Sequence, residues 1–237
     1  MSIFGGPDIK TDGLVLHLDA ANRKSYPLSG STIYDLSGNG NNANFSPSNG
    51  PTFSNQSIIC DGSDDFIRVP VTPSELQGNP NLTLSLWVKR LSNESGNTGI
   101  WGLGGNTTNQ GINSWWYNNA NQITIDTWGQ ATFTTNQTYP LNEWVFVTWQ
   151  KIAGAMTRSN CILWKNLTSY TGSNLSILRA ENVAPNINNI GFTLGRISNT
   201  YSVPVNFAYG QCVIYNRILN SSEIANNYNA LKGRYVL

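Results

Sequence analysis

Apolar and polar residues alternate with a period of two over much of this chain, the spacing of a half-buried β-strand. In Gly13–Asp19, Leu14, Leu16 and Leu18 share one face, with Val15 and His17 on the other. Asn81–Lys89 is the cleanest case, with Leu82, Leu84, Leu86 and Val88 on one side. Ile123–Trp128, Glu143–Lys151, Cys161–Leu167, Gly191–Arg196 and Phe207–Tyr215 also read as strands. Ser57–Val69 reads as strand, tight turn at Asp61-Gly62, strand. Residues 20–50 are rich in turn signals, and residues 92–122 read as Gly, Asn and Thr around Trp101, Trp115, Trp116 and Tyr117. Short strands punctuated in this way predict an all-β fold, an antiparallel two-sheet sandwich. After the last strand, Ser221–Tyr228 reads as a short C-terminal helix. Asn220 stands as its N-cap, with Glu223 three residues on to complete a capping box. Leu219, Ile224 and Tyr228 are its expected anchors, and it is expected to clip a sheet edge.

No break in composition divides the chain of 237 residues, so a single domain is assigned to 13–237, preceded by an N-terminal arm over 1–12. Within that arm Ile3 and Phe4 are candidates for docking on a neighbouring molecule.

Charge then narrows the function classes. Charged residues make up 11% of the chain and the net charge is +1, with Lys and Arg scattered, which argues against a nucleic-acid partner. No run reaches the ~18 apolar residues that cross a bilayer, so no membrane partner is expected. The leader Met1–Pro7 lacks the basic and apolar regions of a signal peptide, which predicts folding in a cytosol. Cys60, Cys161 and Cys212 lie in strand-like apolar contexts and read as buried small hydrophobes; with no CxxC spacing, zinc is not expected.

Candidate chemistry is sparse. His17 is the single histidine, placed in a strand and read as structural. Asp35, in the turn-rich run Tyr34–Asn42, reads as an acceptor for loop amides or as one calcium ligand. Asp61, Asp64 and Asp65 read as turn caps or as part of an oxygen-ligand site. Asp35, Asp64 and Asp65 are thus the candidate metal ligands, for Ca²⁺, although 6–8 oxygens are needed and no EF-hand pattern supplies them. Glycoside hydrolysis needs two carboxyls flanking one bond. Glu75, Glu94, Glu143, Glu181 and Glu223 are isolated, and Asp126 has no partner carboxylate on its strand, so no enzyme is expected. Binding is the better prospect. Trp115, Trp116 and Tyr117, with Asn113 and Trp128, could contact a glycan or a protein partner. Neighbouring strand residues point to opposite faces, so Trp115 and Trp116 are not both expected in the core.

Four patches carry a resemblance. They are Gly13–Ala20; Tyr34–Asn41; Cys60–Ile67; and Val213–Leu219 with Ser222-Glu223-Ile224. In this order they resemble the concanavalin A-like, or laminin-G-like, jelly-roll superfamily. Gln211-Cys212 departs from it, since the superfamily often carries an acidic pair at this point. The leader Gly6–Asp12 and the tail Asn227–Tyr235 are similar to stand-alone jelly-roll proteins of tailed bacteriophages of aquatic bacteria. That resemblance implies a non-enzymatic virion protein, a capsid decoration or a tail or fibre component, folded in the host cytoplasm and multimeric in assembly. Its implied partners are other virion proteins and a host-surface glycan. A lectin-like glycan-binding module is the alternative, and a glycoside hydrolase the third reading.

Overall fold

The computed structural model describes residues 7–47, 50–93, 97–117, 122–128, 130–198 and 205–236. In chain order the strands begin β1 (Leu14–Asp19), β2 (Thr32–Ile33), β3 (Ala43–Ser46), β4 (Thr52–Ser54), β5 (Ser57–Asp61) and β6 (Phe66–Val69). They continue β7 (Leu82–Arg90), β8 (Thr98–Gly104), β9 (Gly111–Tyr117), β10 (Gln122–Thr127), β11 (Ala131–Thr134) and β12 (Trp144–Lys151). Then come β13 (Cys161–Lys165), β14 (Thr168–Tyr170), β15 (Ser176–Ile177), β16 (Phe192–Leu194), β17 (Asn206–Tyr215) and the helix α1 (Ser221–Tyr235). One sheet runs β14-β13-β12-β7-β17-β5-β4, with β1 also on β17; the other runs β15-β11-β10-β9-β8-β16-β6-β3-β2. The fold is the expected all-β, two-sheet antiparallel sandwich with a short C-terminal helix.

The period-two strands bury their apolar sides between the sheets. Leu82, Leu84, Leu86 and Val88 of β7 meet Ile112 and Trp116 of β9 and Ile123 and Ile125 of β10 in one core. Trp101 and Trp149 lock the layers edge to face, with ring centroids 5.6 Å apart. Strand β17 lies at the centre of its sheet. It pairs with β7 on one side, and with β5 and β1 end to end on the other. Cys60, Cys161 and Cys212 are buried free thiols, as expected, and burial raises the Cys161 thiol to about 12.

Three expectations are corrected. First, Asp61-Gly62 does not close a hairpin. β5 pairs with β4 and β17 in one sheet, whereas β6 pairs with β3 and β16 in the other, so the turn carries the chain between layers. Second, residues 92–122 are not a loop but hold β8 and β9, paired from Thr98↔Trp116 to Gly104↔Gly111. Glycines at 99, 102 and 104 hide β8 from a pattern reading. Third, α1 is longer than expected and covers a sheet face rather than an edge. Leu219, Ile224, Leu231 and Tyr235 pack on Trp87, Phe146, Val213 and Tyr215 of the β7-β12-β17 surface. Trp87, fully buried, sits with its ring 5.3 Å from Tyr228 and 5.0 Å from Tyr235. The capping box is present as expected.

The arm is described only in part. Ile3 and Phe4 lie outside the described residues. Residues 8–12 are held by the protein's own C-terminal half. Lys10 N donates to Asn227 Oδ1 at 2.9 Å, Asn226 Nδ2 donates to the Asp8 carbonyl, and Tyr215 Oη donates to the Lys10 carbonyl at 2.9 Å. The leader and tail that share a resemblance are therefore one structural unit.

Candidate functional site

Each sheet turns one face to the other sheet and one face outward. The outer face of the β7-β12-β17 sheet is closed by the apolar underside of α1. The outer face of the opposite sheet differs in kind. Strand register aligns Thr32 with Asn44, Asn44 with Arg68, Arg68 with Thr193 and Thr193 with Gly102. It continues from Gly102 to Asn113, from Asn113 to Asp126 and from Asp126 to Thr132. One cross-strand line thus runs from β2 to β11, and every member is polar or glycine. At ~4.8 Å per strand it extends about 34 Å.

The line is open at one end and covered at the other. Asn44 and Arg68 are exposed, and Thr32 Oγ1 donates to Asn44 Oδ1 at 3.1 Å. From Thr193 to Thr132 the residues are buried. The segment Arg196–Ser198 crosses the sheet here. A Cβ on Gly99 would lie 2.6 Å from the Ile197 nitrogen, and one on Gly102 would overlap the Ile197 carbonyl. Glycine at 102 is what lets one backbone lie flat on another. Thr193 Oγ1 donates to the Arg196 carbonyl at 2.9 Å and ties the segment down. Arg196 then stacks its guanidinium over Phe66, 4.0 Å from the ring centroid.

Under the buried end, polar groups meet incompletely. Thr132 Oγ1 donates to Asp126 Oδ1. Asn113 is 1% exposed and Trp115 7% exposed, yet Asn113 Oδ1 and Trp115 Nε1 have no hydrogen-bond partner among the described residues. A buried polar atom left this way costs about 1–3 kcal/mol, so this face is built at some expense in stability.

The predicted contact residues divide between the two sides. Asn113, Trp115 and Tyr117 fall on the outer face of β9, and Tyr117 is half-buried. Trp116 faces the core, edge-on to Tyr139 at 5.6 Å. The faces are opposite, as expected, but both tryptophans are buried, because Arg196–Ser198 lies beside Trp115 over its register partner Gly99. Neither presents an open ring. Trp128, just past β10, is half-buried. Arg68, Thr193 and Arg196 were missed. Only register places them on this face, and their short strands carry no distinctive motif.

Candidate metal ligands do not converge as a set. Asp35 Oδ1 accepts from His17 N and Ser37 N, both at 2.9 Å, while Oδ2 accepts from Ser37 Oγ at 2.7 Å and Asn41 N at 3.0 Å. It organises its loop. Asp64 and Asp65 instead meet Asp61, with carboxylate oxygens within 4.8 Å of one another. Two of these three carboxylates cap the turn. Asp61 Oδ1 accepts from Ser63 N at 2.7 Å and Asp65 Oδ2 from Asp61 N at 3.1 Å. Burial, and then the neighbouring Asp61 and Asp64 charges, raise the Asp65 carboxyl against that hydrogen bond. His17 is structural in setting, with Nε2 3.0 Å from Gln211 Nε2. Burial lowers its pKa against the opposing pull of Asp19 and Asp35. Among the described residues, no helix is long and apolar enough to cross a membrane.

No family model and no curated protein sequence matches the chain. Solved structures do. Trypanosoma rangeli sialidase in complex with sialic acid is similar at a TM-score of 0.68 and 18% identity, over 98% of this chain and 35% of the sialidase. Domain 4 of AbnA, a GH43 extracellular arabinanase from Geobacillus stearothermophilus, in complex with arabinotriose, is similar at 0.63 and 17%, over 91% of this chain and 98% of that domain. The botulinum neurotoxin serotype D binding domain is similar at 0.65 and 16%, over 92% of this chain and 52% of that one. The chain therefore spans about a third of the sialidase but nearly all of the arabinanase domain. At these identities the likeness is one of architecture alone: the chain shares a two-sheet β-sandwich fold with these structures.

Proposed function

We propose that the protein is a non-catalytic glycan-binding module whose ligand lies on the open end of the polar outer face of the β2–β11 sheet, across Thr32, Asn44 and Arg68. One observation carries this reading: the accessible polar line Thr32, Asn44 and Arg68, in register on the one outer face that α1 leaves uncovered. Sugar hydroxyls both donate and accept hydrogen bonds, and such a line supplies amide, hydroxyl and guanidinium partners in register. Support also comes from the arabinanase domain, matched over nearly its whole length and in complex with an oligosaccharide. Among the described strand residues of this face Asp126 is the one carboxylate, which suits binding better than two-carboxylate hydrolysis.

A glycan array probed with the full chain tests the reading. Retention of a defined glycan class is expected, weakened by Asn44→Ala, with no sugar released on prolonged incubation. Release of reducing sugar, or no retention on any glycan, sinks it. A second reading, a virion accessory protein, rests on the likeness of Gly6–Asp12 and Asn227–Tyr235 to phage proteins. It expects the chain in the mass spectrum of purified particles, in many copies for a capsid decoration and few for a tail tip.

A further inference from the structure

We propose that Arg68 and Arg196 form an anion-binding subsite on this face, and that the glycan it takes carries carboxylates, as polyuronides and acidic sugars do. The inference rests on the glycan-binding reading and names the ligand class. Its basis is a contrast among the arginines. Arg158 holds Glu181, Arg217 holds Glu223 and Asp12, and Arg234 holds Asp19. Each of these charges is neutralised inside the protein. Among the described residues Arg68 and Arg196 have no acidic partner, although they lie together.

Their placement is well defined. Arg68 stands in the polar line and Phe66 two residues before it, on the same outer side of β6. Arg196 lies flat on Phe66, so both guanidinium groups belong to one patch. The Nε of Arg196 is buried and, among the described residues, has no hydrogen-bond partner. Burial, and then the charge of Arg68, lower the Arg196 pKa, in keeping with two cations on the same side of β6. The nearest carboxylate along the line, Asp126, lies four strands away from Arg68, about 19 Å, and is turned to Thr132.

Two adjacent, uncompensated guanidinium groups repel each other until an anion arrives. Their planar forks match a carboxylate with paired N–H donors. With a net charge of only +1, the chain has no general basic field that would draw polyanions elsewhere. The neighbouring Asn44 and Thr32 would then take sugar hydroxyls, giving specificity beyond charge.

The experiment is calorimetric titration of the full chain with polygalacturonate oligomers, the same oligomers as methyl esters, and dextran sulfate. Binding of the free acid is expected, with at least about a tenfold loss on esterification, the scale of one or more charge-assisted hydrogen bonds. Arg68→Gln should cost a similar factor and Arg68→Lys part of it. Arg23→Gln, the same charge change at an exposed turn outside the strands of this sheet, should cost nothing. Arg196→Lys serves as a second test, with its thermal midpoint checked because Arg196 also covers Phe66. Equal binding of acid and ester, unaffected by the Arg68 variants, overturns the subsite while leaving the glycan reading intact. Dextran sulfate binding as tightly as the oligouronide marks ion exchange and also overturns it. Absence of binding to any of these probes, together with a blank glycan array, removes both readings.

Discussion

Arg217 holds Glu223 with two prongs, Nη1 to Oε2 at 3.0 Å and Nη2 to Oε1 at 2.7 Å, across the link between β17 and α1. The same carboxylate closes the helix cap. Glu223 Oε2 accepts from Asn220 N at 2.9 Å, and Asn220 Oδ1 accepts from Glu223 N at 3.0 Å. One side chain therefore both starts the helix and pins it to the strand that leads into it.

This arrangement makes stability depend on pH. Hydrogen bonding from Arg217 brings the Glu223 carboxyl from 4.5 down to about 2. A carboxyl lowered on folding stabilises the protein fully above its unfolded pKa, and that stabilisation is lost as pH falls from about 4.5 toward 2. Glu223→Gln should lower stability by about 1–2 kcal/mol at pH 7, the scale of a charge-assisted hydrogen bond and a cap. The gap from the native protein should narrow over that acid window. Urea unfolding of both proteins at pH 7 and pH 3 measures it, and an unchanged gap counts against the charge as its source.

Trp87 is the keystone between the sheet and α1. Its ring lies 5.2 Å from Phe146 as well as against Tyr228 and Tyr235. Trp87→Ala should cost about 3–5 kcal/mol, the range for a large buried aromatic. The loss should fall on the helix. Hydrogen exchange within Ser221–Tyr235 should quicken before exchange in β9 and β10 does, and unaltered protection in the helix would contradict this.

Gly102 is the position where a methyl group cannot fit, because its Cβ would enter the Ile197 carbonyl. Gly102→Ala should cost about 1–3 kcal/mol, as overpacking does. It should also lift Arg196–Ser198 from the sheet, seen as lost amide protection at Ile197 and Ser198. If the variant unfolds as the native protein does and keeps that protection, the segment does not lie where described.

Much of the architecture was legible because strand signals are local. Leu82–Leu86 shows its core face in strict alternation, with Thr83 and Ser85 between three leucines, and Asn220 and Glu223 announce the helix start at their fixed spacing. β8 was hidden for a physical reason. Gly99 and Gly102 read as turn residues, whereas they are strand positions kept bare for a crossing backbone. The candidate site was legible in part. Asn113, Trp115 and Tyr117 do share a face, but Trp115 is roofed over, and the exposed end of the line at Asn44 and Arg68 gave no signal.

By itself, the order of residues determined that β1, β5, β6, β7, β10, β12, β13, β16 and β17 are strands, which side of the alternating ones is apolar, and where the helix begins. Those properties depend on neighbours two to four positions apart. Only the tertiary structure decided which outer face α1 would cover, that Asp61-Gly62 would pass between layers, and that Thr32, Arg68, Thr193 and Asn113 would fall on one line. Those outcomes depend on pairing between strands far apart in the chain, where register, set by packing of the whole core, assigns each side chain its neighbours.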